Sequence, residues 1–155
     1  MIEANISRCG LQNMRALVWD ALVPDESAVE RADILIADLP CSGLGIMGRK
    51  PDIKYNASEA GIAQLAKLQR DILSVVWRYV KPGGRLIFST CTISSQENED
   101  NAEWFQEHYP FRPVNLENIL NEQLWRPFLK QGRIQFLPGT DPADGFFISV
   151  FQREE

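Results

Sequence analysis

Two cysteines stand at the ends of short apolar runs, where a folded chain would present them at the edge of a sheet. Cys41 follows Asp38 by three residues, and Cys91 ends the segment R-L-I-F-S-T-C. A thiolate is a strong nucleophile, although an ordinary cysteine is only a few per cent thiolate at neutral pH. Either cysteine alone is more often a small buried hydrophobe. Together, beside an acid, they predict a site for covalent chemistry.

The elements that would position these residues are short strands alternating with longer helical segments, which is typical of an α/β domain with a largely parallel sheet. The predicted strands are 14–19, 32–37, 85–90, 134–137 and 146–151, the last two as an antiparallel hairpin. Asp20, Asp38 with Cys41, and Cys91 each lie at or just past a strand end. Because open α/β sheets bind ligands beyond the carboxyl ends of their strands, we expect these side chains to meet in one crevice.

Three helices are predicted between the strands. They cover residues 2–9, a segment from the N-cap Ser58 to about Val80, and a helix opened by a capping box of Ser94 with Glu97. Gly10 and the K-P-G-G stretch at 81–84 would end the first two. Residues 39–57 hold too many prolines and glycines for regular structure, and a loop of this length is usually functional.

Composition narrows the class of protein. The 155 residues, 45% of them hydrophobic, fit one domain spanning 1–155, and no apolar run reaches the length of a membrane helix. Three cysteines without paired spacing and a single histidine, His108, argue against a disulfide framework and a metal site. A net charge of -5 is unusual for a tight, stand-alone nucleic-acid binder. A cytoplasmic protein is the expectation.

Several stretches of the chain resemble one family closely. They are A-D-L-P-C-S-G-L-G (37–45), R-K-P-D-I-K (49–54), K-P-G-G-R-L-I-F-S-T-C-T (81–92) and L-P-G-T-D-P-A-D-G-F-F-I (137–148). The chain thereby resembles the NOL1/NOP2/Sun family of RNA 5-methylcytosine methyltransferases over nearly its whole length. The two cysteine motifs in this order are specific, whereas K-P-G-G alone indicates only a methyltransferase fold.

The resemblance implies a reaction and a role for each thiol. Cys91 would attack carbon 6 of a cytosine, so that carbon 5 can take a methyl group from S-adenosylmethionine. Asp38 would hydrogen-bond the base, and Cys41 would assist release of the methylated product, as a base or by handling a proton. The substrate would be RNA, with rRNA expected.

The resemblance also implies contacts with the donor and with RNA. Asp20, Asp38 and Pro40 would contact S-adenosylmethionine. Three basic residues of the long loop would contact RNA phosphates, although they could equally form a solvated loop edge. These are Arg49, Lys50 and Lys54.

The implied fold is the Rossmann-like class I S-adenosylmethionine-dependent methyltransferase fold, truncated at the N-terminus, without its first two strands and its Gly-rich loop. We therefore expect the strand at 14–19 to lack a neighbour and to be displaced, disordered or paired with another chain, as in a homodimer. We also expect the isolated chain to have little or no activity, because its donor site is incomplete.

Two other interpretations stay open at this stage. The chain could be a non-catalytic, truncated methyltransferase-like module for binding or assembly. It could also belong to a methyltransferase class that modifies an exocyclic amine. That class would need an Asn/Asp-Pro-Pro-aromatic turn, whereas this chain has D-L-P-C at 38–41, so this interpretation ranks low.

Overall fold

A computed structural model describes residues 2–155 as a five-stranded sheet with its main helices packed against it. The strands are β1 (Ala32–Asp38), β2 (Val80–Thr90), β3 (Phe111–Pro113), β4 (Arg133–Phe136) and β5 (Phe146–Arg153). The α-helices are α1 (Ile2–Arg8), α2 (Ile53–Asn56), α3 (Glu59–Val76) and α4 (Glu99–His108). The predicted mixture of helices and strands is confirmed, and β4 and β5 form the predicted antiparallel hairpin.

The sheet has the order β1-β2-β5-β3, with β4 also paired to β5. Only β1 and β2 run parallel, whereas β5 is antiparallel to each of its partners. The expectation of a largely parallel sheet is therefore wrong for residues 2–155. The sheet is mixed because the C-terminal hairpin inserts β5 beside β2 in the opposite direction.

The predicted strand at 14–19 does not form. These residues have no regular structure, and Leu17, Val18 and Trp19 are exposed. A strand needs a neighbour for its backbone groups, and residues 2–155 provide none at this position. The expected displacement of this segment is thus observed. Asp20 lies in a local turn, where its carboxylate accepts from the Leu22 N–H at 2.9 Å.

The predicted residues, Gly10 and Ser58, close helix α1 and open helix α3. Gly10, at φ +64°, closes α1 with two backbone bonds to the last turn, from Gly10 to Ser7 and from Leu11 to Ile6. The Ser58 hydroxyl caps α3 by accepting from the Gly61 N–H at 3.1 Å.

The long helix α3 packs its buried face on the sheet. It ends at Val76 and continues as one 3-10 turn, slightly before the predicted limit near Val80. Its buried positions include Leu73, and one of them is polar, Gln69. Its apolar contacts with α4 and the sheet form the main core, which also contains Phe88, Phe105 and Phe151.

The K-P-G-G stretch belongs to β2, not to a turn outside it. Val80 pairs with Ala32, but the next pair is Arg85 with Ile34, so β2 bulges between these pairs. Gly83 adopts φ +74° within the bulge. The strand therefore begins five residues before its predicted start at Arg85.

The long loop 39–57 contains more regular structure than predicted, because Leu44–Ile46 forms a 3-10 turn and α2 adds one helical turn. The predicted capping box is also wrong. Helix α4 begins at Glu99 with Asn98 at its N-cap, and the Glu97 carboxylate points away from Ser94 toward the long loop. The predicted inward positions of this helix, Ala102 and Phe105, are buried.

No helix among residues 2–155 combines the length and the apolar character needed to cross a lipid bilayer.

Candidate active site

The two cysteines that lie beyond the strand ends meet. The Sγ atoms of Cys41 and Cys91 are 3.2 Å apart and partly buried. Cys91 directly follows β2, and Cys41 lies three residues after β1. Because β1 and β2 are parallel neighbours with Asp38 opposite Ser89, both strands end at the same edge of the sheet. The predicted meeting of the two thiols is confirmed.

The pKa of one thiol of the pair, that of Cys41, is raised. Burial raises the pKa of the Cys41 thiol to about 12, and the hydrogen bond to Cys91 acts in the same direction. Cys41 is therefore a neutral thiol near pH 7. A neutral thiol can donate its proton in the hydrogen bond with the Cys91 sulfur.

The raised pKa of Cys41 predicts how its alkylation rate depends on pH. The rate at which iodoacetamide modifies Cys41 should continue to rise beyond pH 10, because its thiolate fraction is still increasing there. An exposed thiol of ordinary pKa levels off above about pH 9. Peptide mapping by mass spectrometry measures each cysteine separately, with the exposed Cys9 as comparison in the same sample. An alkylation rate of Cys41 that levels off near pH 9 would contradict the raised pKa of this thiol.

Asp38 stands at the same edge as the thiols. Its Oδ1 accepts from the Ser89 hydroxyl at 2.9 Å, across the register pair of β1 and β2. The side chain is otherwise exposed, so its carboxylate can reach a ligand outside the sheet. The Ser89 hydroxyl restricts its rotation, which orients the acid before anything binds.

A fully buried acid, Glu97, joins the two cysteine loops. Its Oε1 accepts from the backbone N–H of Ser42 at 2.8 Å and from Gln69 Nε2 at 3.1 Å, and its Oε2 accepts from the Ser42 hydroxyl at 2.5 Å. The Ser42 hydroxyl is also 2.8 Å from the Thr92 hydroxyl. Residues adjacent to each cysteine are therefore held by one carboxylate.

Glu97 was not predicted as part of the site. Its spacing from Ser94 matches a helix-capping pattern, and that local explanation concealed its long-range role. Gln69 was also missed, because it lies on the apolar face of α3. Gln69 Nε2 bonds the carbonyl of Pro40 at 2.9 Å as well as Glu97, so it supports the loop just before Cys41.

Two glycines bring the C-terminal hairpin against the Cys41 loop. The Gly145 N–H donates to the carbonyl of Gly45 at 2.8 Å, and the Gly45 N–H donates to the carbonyl of Cys91 at 3.1 Å. A Cβ on Gly45 would lie 2.2 Å from the Gly145 carbonyl oxygen. The backbones can approach this closely only without side chains at these positions.

A cavity of about 430 Å³ opens beside Cys41. Arg49 and Lys50 line it, together with residues of the loop and the start of α3. Arg49 forms an exposed ion pair of 2.7 Å with Asp144 of the hairpin loop. Lys54 is exposed on α2 and is not among the lining residues. The structure thus places two of the three predicted basic residues at this cavity.

Comparison with known proteins identifies the family of the chain. The family model described as 16S rRNA methyltransferase RsmB/F matches residues 1–152. The probable ribosomal RNA small subunit methyltransferase B of Bacillus subtilis is 40% identical over 99% of the chain. The ribosomal RNA small subunit methyltransferase F of Escherichia coli is 31% identical over the whole chain. The chain spans only about a third of the length of these relatives, 35% and 33% respectively.

Solved structures give the same result for the fold. The crystal structure of PH0851 superposes on 99% of the chain with a TM-score of 0.87 and 32% identity, and the chain covers 34% of it. NSun6 from Pyrococcus horikoshii, solved with SFG, gives a TM-score of 0.80 at 24% identity over 99% of the chain and 38% of its own length, which shows the fold alone. The family match over nearly the entire sequence establishes that the chain belongs to the RsmB/F family of 16S rRNA methyltransferases, within the NOL1/NOP2/Sun group.

Proposed function

We propose that this chain carries the catalytic residues for transfer of a methyl group from S-adenosylmethionine to carbon 5 of cytosine in RNA, with rRNA as the substrate. The observation that carries the proposal is the pair of thiols 3.2 Å apart, of which Cys41 lines a cavity that Arg49 and Lys50 also line. A reaction that forms and later breaks a bond to a pyrimidine ring needs a nucleophile and a group that handles a proton. The pair supplies both.

The first step is addition of Cys91 to carbon 6 of the cytosine. The Cys91 thiol passes its proton to water, a bond forms between Sγ and carbon 6, and the electron pair of the 5,6 double bond shifts toward carbon 5 and the ring. Asp38 contacts the base at ring N3 and the exocyclic amine and stabilises the charge that develops there. The Ser89 hydroxyl keeps this carboxylate oriented throughout.

When bound, S-adenosylmethionine supplies the methyl group for carbon 5. Asp38, Pro40 and Asp20 would hold part of it, and the exposure of the Asp38 carboxylate fits such a contact. The Pro40 carbonyl already accepts from Gln69, so its contribution is the shape of the loop. Gly45, one of the glycines of residues 39–57, cannot approach a donor closely, because it packs directly against Gly145.

The second task is release of the methylated base. The proton on carbon 5 must leave before the bond between Cys91 and carbon 6 can break. Cys41 is the thiol of this chain nearest to Cys91, with 3.2 Å between the two Sγ atoms. Once Cys41 has passed its own proton to water, its thiolate can take the proton from carbon 5. The electron pair of that C–H bond then restores the 5,6 double bond, and Cys91 departs as a thiolate.

The cytosine reaches these groups only when it leaves its stack and enters the cavity. Arg49 and Lys50, with Lys54 farther along the loop, suit contacts with the phosphates on either side. The remaining contacts with RNA and S-adenosylmethionine would come from segments like those that the relatives have outside their match to this chain. We therefore expect little or no activity from the chain alone.

The experiment that tests this proposal compares Cys41→Ala with Cys91→Ala. Each variant is incubated with RNA containing the target cytosine, S-adenosylmethionine and the upstream part of the Bacillus subtilis relative. Cys41→Ala should accumulate a covalent protein–RNA complex that resists denaturing electrophoresis, because addition proceeds and release is blocked. Cys91→Ala should form none, and the exposed Cys9→Ala variant should turn over without accumulation. A complex that persists in Cys91→Ala would refute the assignment.

A second candidate is a non-catalytic module for binding or assembly. The exposed apolar segment around Leu17 and Val18, and the outer edge of β1 that lacks a neighbour among residues 2–155, favour it. A homodimer could pair these edges. The two candidates separate in the experiment above, because a module of this kind would give no covalent complex with either cysteine variant.

A further inference from the structure

Asn98 is a polar residue without exposed surface at the N-cap of α4. An asparagine at this position ordinarily uses its side-chain oxygen to accept from a backbone N–H in the first turn of the helix. Within the part of the chain that the structure describes, the Asn98 side chain makes no such capping bond. Its hydrogen bonds run instead to the end of β2, to the residue after Cys91 and to β4. The side chain therefore serves a purpose other than starting its own helix.

The Asn98 amide holds both residues that flank Cys91. Its Oδ1 accepts from the Thr90 hydroxyl at 2.5 Å, and its Nδ2 donates to the Thr92 carbonyl at 3.1 Å. A carbonyl can only accept, so the amide nitrogen faces Thr92 and the amide oxygen faces Thr90. Neither threonine has exposed surface. One side chain thus bridges the positions before and after the nucleophile, in a setting where water does not replace the bonds.

The same amide connects the nucleophile to the C-terminal hairpin. Asn98 Nδ2 also donates to Gln135 Oε1 at 2.8 Å. Gln135 Nε2 in turn donates to the carbonyls of Phe136 at 2.8 Å and Phe146 at 3.1 Å, which form a register pair of β4 and β5. The Asn98 side chain is therefore held in place by a pair of strands as well as by its own helix.

A further hydrogen bond holds the backbone of Cys91 itself. The Gly45 N–H donates to the Cys91 carbonyl at 3.1 Å. Because the residues on both sides of Cys91 and its own carbonyl are held, the backbone has little freedom to turn, and the direction of Sγ depends on the χ1 torsion alone. Asn98 makes two of these three contacts.

We propose that Asn98 is a positioning residue, which holds the backbone of Cys91 so that Sγ faces carbon 6 of the bound cytosine. The inference rests on the proposed function and deepens it, because it names the group that orients the nucleophile. Asn98 acts through the two threonines beside Cys91. Addition needs the reacting atoms close together and aligned, and a displacement of about 1 Å can cost about a hundredfold in rate. Loss of Asn98 should therefore slow the addition and leave RNA binding unchanged.

The test follows formation of the covalent complex with 5-fluorocytidine RNA, in the presence of S-adenosylmethionine and the upstream part of the Bacillus subtilis relative. Asn98→Ala should lower the rate at saturating RNA about a hundredfold. The RNA concentration that gives half of the maximal rate should stay within about twofold of the original value. A residue that only stabilises the fold would not slow the reaction of the folded, RNA-bound protein.

Two substitutions of Thr90 separate positioning from stability. Thr90→Val keeps the volume but removes the hydroxyl that donates to Asn98, so the rate at saturating RNA should fall about tenfold. Thr90→Ser keeps the hydroxyl but leaves a small gap in a buried place, so its melting temperature should fall while its rate stays near the original. Phe105→Leu, in the main core and on the same helix as Asn98, is the control for stability alone and should also keep the rate.

A measurement without RNA distinguishes a failure of this inference from a failure of the proposed function. The hydrogen-exchange rate of the Gly45 amide reports on its bond to the Cys91 carbonyl and is read from ¹H–¹⁵N spectra of the chain alone. Asn98→Ala should raise this rate about tenfold or more. The Leu39 amide, which donates to the Ser89 carbonyl at 3.0 Å, is the internal comparison and should keep its protection.

Three results would overturn the role of Asn98. They are an unchanged rate of complex formation in Asn98→Ala, equal losses of rate in Thr90→Ser and Thr90→Val, and an unchanged exchange rate at Gly45. If the original protein forms no covalent complex while the exchange at Gly45 responds as expected, the proposed function fails and the hold of Asn98 on the Cys91 backbone stands.

Discussion

Replacing Gly45 with alanine should destabilise the protein by about 3 kcal/mol or more and abolish methyl transfer. The added Cβ would lie 2.2 Å from the Gly145 carbonyl oxygen, so one of the two backbones must move. Such a movement breaks the bond from Gly145 to Gly45 and strains the bond from Gly45 to Cys91, which reaches the nucleophile's own backbone. Urea unfolding followed by circular dichroism measures the free energy of unfolding.

The matched control is Gly48→Ala in the same loop. A Cβ at Gly48 meets no atom of residues 2–155 within 4 Å, and its φ is not in the left-handed region. Its free energy of unfolding should therefore stay within about 0.5 kcal/mol of the original protein. Equal values for the two variants would show that the contact between Gly45 and Gly145 is not tight in solution.

Replacing Glu97 with alanine should cost about 3 kcal/mol of stability. The change leaves the Ser42 N–H and the Gln69 amide without their acceptor in a buried setting. The Cys41 loop would then be free to move relative to Cys91, so the covalent complex expected for Cys41→Ala should fail to accumulate when Glu97 is also changed. Thermal and urea unfolding give the first quantity, and denaturing electrophoresis gives the second.

Glu97→Gln separates charge from shape at this position. An amide keeps the volume but turns one acceptor into a donor, which would face the donors of Ser42 and Gln69 and retain only part of the stability. Glu107→Ala, exposed on α4, is the surface control and should be neutral within about 0.5 kcal/mol. An unchanged free energy of unfolding in Glu97→Ala would mean that this acid does not hold the two loops together.

The ends of β1 and β2 and the meeting of the two thiols could be predicted from the sequence, because each depends on a short local pattern. An apolar run followed by a polar residue marks a strand end, and the carboxyl ends of parallel neighbours share one edge. Asp38 and Cys91 follow from this reasoning alone. The roles of the two cysteines followed only from the family resemblance.

The support of the site could not be predicted, because it depends on contacts between distant parts of the chain. Glu97 satisfies a helix-capping pattern with Ser94, yet its partners are Ser42 and Gln69, far away in sequence. Gln69 is buried among apolar residues, and hydrophobic periodicity in the sequence gives no sign of a buried polar side chain. The close approach of two glycines, 100 residues apart, is likewise visible only in three dimensions.

The two errors at residues 14–19 and 81–84 have one physical origin, which is that a strand is defined by its neighbours. Residues 14–19 have a strand-like composition but no partner among residues 2–155, so they remain exposed. Conversely, the residues of K-P-G-G look like a helix stop and a turn, but β1 beside them draws them into β2 as a bulge. In both places the presence or absence of a neighbouring strand, and not local propensity, decided whether a strand formed.

The most direct test of the account is to locate the atom to which the RNA becomes attached. RNA carrying 5-fluorocytidine at the target position is incubated with the chain, S-adenosylmethionine and the upstream part of the Bacillus subtilis relative, and the product is digested and mapped by mass spectrometry. Fluorine replaces the proton that must leave carbon 5, so the adduct cannot resolve. The account predicts a methylated nucleotide on the peptide containing Cys91. Attachment at Cys41, or the absence of any adduct while the donor is bound, would contradict it.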